Sequence, residues 1–400
     1  MRGLALYEVD LLSRLVGINT DSIEKMNYMA AAELVRGEAE DLGLEARIYD
    51  GAGAAGDSRP RPNVVVRLKG GSDKTLIVAA HYDVVPSGDG WTYPPYKLTL
   101  VDDKAYGRGA ADDKSSIAAA LGALKLLSER GSSKLNIILA VTCDEEVGGE
   151  AGLGYLAEKK VVDGDYGLVL DAAPDAVYAG ACGIVWGKIT IEGLQGHAAY
   201  PHEALNPIDE AVKVFTSLRR FSKGRERIYS RLPAPPNSPH RRVWGRFTLT
   251  MLNAGWKENV IPRTCEARFD MRICPDENPL EAIDGLNGFI EALKPKVKAK
   301  ISCEIGKVWP PYYTDPRHLF VEAFRRAASK AAKSRLNIAG ELVANDGRWL
   351  AGLGIPTISF GALRRCTRIH GVDEHVHIPD LILVRDSIVN LAEDGITEST

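Results

Sequence analysis

Acids and histidines recur in this sequence where apolar runs stop. His81 and Asp83 follow TLIVAA (75–80), in HYDVVP. Asp112 and Asp113 stand in a glycine-flanked turn before a helical segment. Asp144, Glu145 and Glu146 follow LNIILAVT (135–142), in VTCDEEVGG. Asp171 closes YGLVLD (166–171), and His370 lies in IHGVDE near the end of the chain. Carboxylates set side by side repel one another, more so at the end of a buried strand. A cation offsets that repulsion. Imidazoles mixed with carboxylates form a donor set that zinc accepts with positions left open for water and substrate. Two metals about 3.5–4 Å apart need one carboxylate able to bridge them.

The elements that must position these residues come next. NVVVRL (63–68), TLIVAA, LNIILAVT and YGLVLD are short and apolar throughout, the pattern of strands covered on both faces. Between them lie helical segments, one over 23–43 ending at Gly43 and one over 115–129. This alternation predicts an α/β fold with a mostly parallel sheet, whose ligand crevice lies beyond the carboxyl ends of the strands. From about Gly180 the texture changes. An alternating strand (183–193), a helix (208–221), two strands (247–255 and 262–273), a helix (279–293) and a strand (297–305) give the order β-α-β-β-α-β. We expect residues 1–180 and 308–400 to form a catalytic metal-binding domain. Residues 181–307 are then an inserted α+β, two-layer, ferredoxin-like domain.

Composition narrows the classes. The chain has 400 residues, 45% hydrophobic and 26% charged, with a net charge of −3. Neither nucleic acid nor an acidic membrane surface is a natural partner for that charge. No run approaches the roughly 18 apolar residues of a membrane span. The N-terminus reads as an amphipathic helix interrupted by Glu8, Asp10 and Arg14, not as a signal peptide. Six cysteines without a CxxC pair read as reduced, buried thiols of a cytoplasmic protein. The basic, proline-rich stretch 219–246 reads as a solvated loop. GAGAAG (51–56) matches a dinucleotide fingerprint, but DSRPRPN follows where a helix is required. GRGAADDKSS (107–116) places Asp112 and Asp113 where a triphosphate would need neutral groups.

Several longer motifs, in one order, carry a resemblance. These are HYDVVPSGDGW (81–91), YGRGAADDKSS (106–116), TCDEEVGG (142–149), GLQGHAAYPHEALNPI (193–208), NVIP (259–262) with DMR (270–272), DGRWLAGLGIPTISFG (346–361) and HGVDE (370–374). With them the chain resembles the di-zinc amidohydrolases and metallopeptidases that include acetylornithine deacetylase, succinyl-diaminopimelate desuccinylase, glutamate carboxypeptidase and carnosine-type dipeptidases. The resemblance implies a zinc-binding α/β domain interrupted by a lid domain that commonly dimerises.

It also implies roles. His81 and Asp171 would hold one zinc, Glu146 and His370 the other, with Asp112 bridging; cobalt or manganese could replace zinc. Asp83 would orient His81, and Glu145 would be the general base. His197 would stabilise the tetrahedral oxyanion, from its own or another subunit. Asn259 and Arg272 would contact substrate, and Arg348 would pair with a substrate carboxylate. The expected substrate is an N-acyl amino acid or short peptide with a free carboxylate, cleaved at an amide. Asp171 is more typical of the peptidase members, whereas DGRW looks more like the desuccinylases, so a biosynthetic deacylase and a dipeptidase or carboxypeptidase both stay open. A non-catalytic, metal- or peptide-binding relative would show losses among these residues.

Overall fold

The computed structural model describes residues 6–396, and the chain divides into two compact units. The larger comprises the chain up to Ala179, Thr314–Ala339, and the chain from Asn345 on; the smaller comprises Gly180–Tyr313 and Gly340–Ala344.

The centre of the larger unit is a parallel set of four strands, in the order Asn136–Thr142, Thr75–His81, Tyr166–Val169 and Thr357–Ser359. Leu76, Ile77, Val78, Ile137, Leu139 and Val141 are buried on both faces of this sheet, which explains their unbroken apolar run. Pro62–Leu68 pairs antiparallel with Asn136–Thr142, and Glu45–Asp50 pairs antiparallel with Pro62–Leu68. The parallel character therefore belongs to the middle of the sheet. Helix Lys114–Arg130 packs on Ile378–Asp394, which packs on Leu319–Ala332. The expected helix over 23–43 begins only at Tyr28. Asp21 explains the delay: its Oδ1 accepts from the N–H of Ile23 (2.8 Å) and of Glu24 (3.0 Å), a local turn that competes with helix.

The smaller unit is a four-stranded antiparallel sheet in the order Arg246–Ala254, Thr264–Ile273, Gly183–Glu192, Lys300–Trp309. Helices Pro207–Arg225 and Pro279–Leu293 cover one face. Both begin with Asn-Pro. Asn206 accepts from the N–H of Ile208 and Asn278 from that of Leu280, while each proline sits where no N–H is needed. Val185, Ile189, Ile191, Phe269 and Met271 alternate inward to meet those helices. The opposite face carries Trp186, Lys188, Arg268 and Glu304 and holds a groove of about 590 Å³. The stretch 219–246 is not a solvated loop throughout. The helix runs on to Arg225, and Tyr229–Pro233 then pairs with Arg242–Trp244. Arg225 is buried against Glu277 and the carbonyl of Arg272, which draws this basic segment onto the body.

Among the described residues no helix is long and apolar enough to cross a membrane. All six cysteines are free. Cys143, Cys182, Cys265 and Cys274 are buried, but Cys303 is half-buried and Cys366 exposed, against the expectation of burial for all.

Candidate metal centre

Strand geometry brings the candidate ligands of the larger unit together. His81 is the last residue of Thr75–His81, and Thr142, which ends the neighbouring strand, pairs with it in parallel register. The turn after Thr142 carries Glu145 and Glu146. Asp171 lies two residues beyond Tyr166–Val169 rather than closing that strand. Asp112 ends the turn before helix Lys114–Arg130, and its peptide bond to Asp113 is cis. His370 sits on a loop with a left-handed backbone (φ 62°), a conformation that concentrates at functional sites.

Asp112 is the centre of this arrangement. His81 Nε2 lies 3.1 Å from its Oδ1, and His370 Nε2 lies 3.2 Å from its Oδ2. His370 Nε2 is also 3.1 Å from Glu146 Oε2. Two sets of donor atoms result, His81–Asp112–Asp171 and Asp112–Glu146–His370; within each, one atom per residue lies within 4.8 Å of the others. Asp112 belongs to both. This donor set fits two divalent cations sharing one carboxylate.

The electrostatics tell the same story. Burial, then Asp171 and Asp346, pushes the carboxyl of Glu145 well above the usual range. Burial, then Asp112, pushes Glu146 and Asp171 each up to about 7. Hydrogen bonds to Asp112 and Glu146 carry His370 up to about 10. Burial opposes charging His81, yet Asp112 and Asp83 outweigh it and raise its pKa. Burial therefore favours the neutral forms of Glu145, Glu146 and Asp171 while the two imidazoles keep Asp112 charged, and a divalent cation would favour the charged forms of all four.

A buried layer of polar residues supports these groups. Asp83, fully buried, accepts the N–H of Glu145 and of Glu146 (both 3.2 Å), and its Oδ1 lies 3.5 Å from His81 Nδ1. Asp83 thus holds both glutamates through its carboxylate and His81 through its backbone carbonyl, which lies 3.0 Å from Nδ1. Asp144 is a buried hub. It accepts from Arg61 Nε (2.5 Å), Lys25 Nζ (2.9 Å) and the Tyr28 hydroxyl (2.9 Å). Glu374, unassigned by sequence, accepts the N–H groups of Gly109, Ala111 and Asp112. Asp346 joins Glu145, Asp171 and His81 around a cavity of about 10 Å³, on the order of one water. Gly149 must be glycine, since a Cβ there would fall 2.3 Å from Asp346 Oδ1. Lys114 is buried and donates to the carbonyls of Leu15 (3.0 Å) and Ile18 (2.7 Å); burial lowers its pKa to about 7.

The remaining candidates stand elsewhere. Arg348 is buried in the larger unit. Its guanidinium donates to the carbonyls of Gly148 and Asn345 (3.3 Å to the latter) and lies over the Trp349 ring. His197 belongs to the smaller unit and is exposed; its Nδ1 accepts the N–H of Ala199 (3.0 Å), and strand Gly196–His197 pairs with Val260–Ile261. Asn259 is exposed there, and its carbonyl accepts the N–H of Ala198 (3.0 Å). Arg272 is half-buried and paired with Asp270 (2.8 Å).

Comparison with known proteins identifies the family. Residues 77–394 match the model of peptidase family M20/M25/M40. An uncharacterized metallohydrolase of Methanocaldococcus jannaschii is 30% identical over 351 residues, 80% of this chain and 81% of that protein. Succinyl-diaminopimelate desuccinylase of Psychrobacter arcticus is 29% identical, over 84% of this chain and 82% of that enzyme. Among solved structures, an M20 family metallo-carboxypeptidase of Sulfolobus solfataricus shares the fold with TM-score 0.79 and 18% identity, covering 97% of this chain and 99% of that one. Human carnosine dipeptidase 1 does so with TM-score 0.76 and 17% identity, covering 96% of each chain. The chain therefore belongs to peptidase family M20/M25/M40 and is a hydrolytic enzyme of that family.

Proposed function

We propose that this enzyme hydrolyses an amide bond next to a free carboxylate, in an N-acyl amino acid or a short peptide, with two divalent ions at the strand-end cluster. The observation that carries the reading is the sharing of Asp112 by two donor sets with Glu145 close by. His81 and Asp171 would hold one ion and Glu146 and His370 the other, with Asp112 shared; zinc would suit this donor set best, with cobalt or manganese as substitutes. A bound divalent ion lowers the pKa of water toward roughly 7. Glu145 takes the proton of the attacking water and delivers it to the departing nitrogen. Asp83 keeps His81 and the two glutamates in place.

His197 stabilises the oxyanion and Asn259 and Arg272 contact substrate, all from the smaller unit, which we read as a lid and the interface of a homodimer. Arg348 meets the substrate carboxylate by exchanging one of its carbonyl partners, a pairing that guanidinium geometry favours. Six free cysteines support a reducing, cytoplasmic setting.

The desuccinylase relative favours a biosynthetic deacylase acting on acetyl-ornithine or succinyl-diaminopimelate, whereas the dipeptidase and carboxypeptidase structures favour peptides. A panel of acetyl-ornithine, succinyl-diaminopimelate, N-acyl amino acids and dipeptides, run with metal analysis, decides between them. Two zinc-like ions per chain and turnover of one class are expected. Full amidase activity in a metal-free preparation would end the proposed mechanism. Inertness of every substrate with metal bound would favour a binding protein over an enzyme of this specificity.

A further inference from the structure

We infer that the buried Arg108–Glu374 ion pair is the positioning device for the shared carboxylate, fixing the spacing between the turn that carries Asp112 and the loop that carries His370. The inference rests on the reading of Asp112 as a bridge.

Both side chains are 1% exposed, and Arg108 Nη1 lies 2.5 Å from Glu374 Oε2. The Glu374 carboxylate also accepts the N–H groups of Gly109 (3.1 Å), Ala111 (2.9 Å) and Asp112 itself (3.0 Å). The carbonyl of Glu374 accepts the N–H of Gly107 (2.9 Å). Arg108 donates from Nη2 to the carbonyls of Pro86 (3.3 Å) and Gly371 (3.2 Å). Three stretches therefore meet on one pair: the segment after His81 and Asp83, the turn ending at Asp112, and the loop following His370.

A carboxylate offers about four lone-pair sites, and here three N–H groups and a guanidinium are directed at them. Packing alone is a poor account of this pair. Apolar groups of similar volume often serve stability equally well, but they cannot gather the amide of the residue that bridges the metals. Each hydrogen bond is directional, so Asp112 is held before any ion arrives. Partners one layer behind metal ligands typically change metal affinity by about 10–100-fold when removed.

The test uses Co²⁺ as the probe metal on the full-length protein. Wild type is compared with Glu374→Gln and Glu374→Asp. Glu8→Gln, which breaks the buried Glu8–Arg385 pair (2.8 Å), is the control for simple loss of a buried charge. In Glu374→Gln we expect Co²⁺ affinity to fall about 10–100-fold, the visible Co²⁺ spectrum to change, and the amide of Asp112 to exchange faster in the metal-free protein. Glu374→Asp should recover part of each, and Glu8→Gln should keep wild-type affinity and spectrum. Wild-type affinity and spectrum in a folded Glu374→Gln overturns the inference, and so does an equal loss in Glu8→Gln. If Glu374→Gln does not fold, the decision passes to Glu374→Asp, where unchanged Co²⁺ affinity overturns it. A wild-type chain that binds no Co²⁺ sinks the metal reading itself. Amide exchange at Asp112, which needs no metal, then judges the positioning of the turn by itself.

Discussion

Buried charge is handled differently in the two units. In the smaller one, buried Glu210 and half-buried Glu277 find basic partners within the unit. Glu210 accepts from Lys213 Nζ and from the N–H of Lys298, both at 2.6 Å. Burial pushes its pKa up, yet these partners outweigh burial and leave it below the usual glutamate range. Glu277 is paired with Arg225, 2.9 Å from Nη2. At the strand ends of the larger unit, burial raises the pKa values of Glu145, Glu146, Asp171 and Asp346, and for the first three neighbouring acids add to it. The first pattern is complete as folded. The second leaves buried acids with raised pKa values beside one another, the pattern of a site rather than a scaffold.

Breaking the incomplete side has the largest effect. Glu145→Gln should reduce kcat by about 10²–10⁴-fold, the range for a general base, while metal content stays unchanged. Unaltered kcat would reassign the base.

Chelation comes second. A ligand at 100 times its Kd stabilises the folded state by about 2.7 kcal/mol, so metal removal should lower the melting temperature by several degrees. The pH dependence has a definite sign. Glu146 and Asp171 titrate near 7 in the metal-free fold and His370 near 10, and metal must displace these protons. The difference in melting temperature between metal-bound and metal-free protein should therefore widen from pH 5 to pH 8. A difference that narrows over this range would contradict the assigned ligands.

The complete side should respond more mildly and without any dependence on metal. Glu210→Gln removes a carboxylate whose folded pKa is depressed. Its contribution is present above the unfolded value, about 4.5, and disappears as pH falls through the folded one. The variant should lose about 1–2 kcal/mol at pH 7 and almost nothing near pH 3, measured by denaturant titration, with Co²⁺ affinity unaffected. The smallest change is Asn278→Ala, which removes a helix cap at about 1 kcal/mol. A loss of metal from either variant would erase the distinction between the units.

The sequence made the two textures and the strand-end acids legible because both follow short-range rules. Unbroken apolar runs mark doubly covered strands, and alternation marks the one-sided sheet of the smaller unit. The helix Pro279–Leu293 could be bounded to the residue because Asn-Pro announces its start. What stayed hidden depends on long-range meetings. Glu374 finds the Asp112 turn across 262 residues, and Arg61 finds Asp144 across 83. No local pattern encodes either. At Asp144 the local turn is real (φ 62°), but the three donors converging on it come from distant segments that no short-range rule reveals. The Gly148 carbonyl that accepts from Arg348 lies 200 residues away along the chain, and the DGRW motif gives no hint of it.

Lys114 has a practical consequence. Its ammonium group rests on the carbonyls of Leu15 and Ile18, two residues along the chain from Asp112. Trimming the chain past residue 18 to improve expression or crystallisation would strand a buried amine beside the candidate centre. The first helix, Tyr7–Val16, is therefore a poor place to shorten the protein, and a purification tag placed ahead of it is a safer choice than a deletion within it.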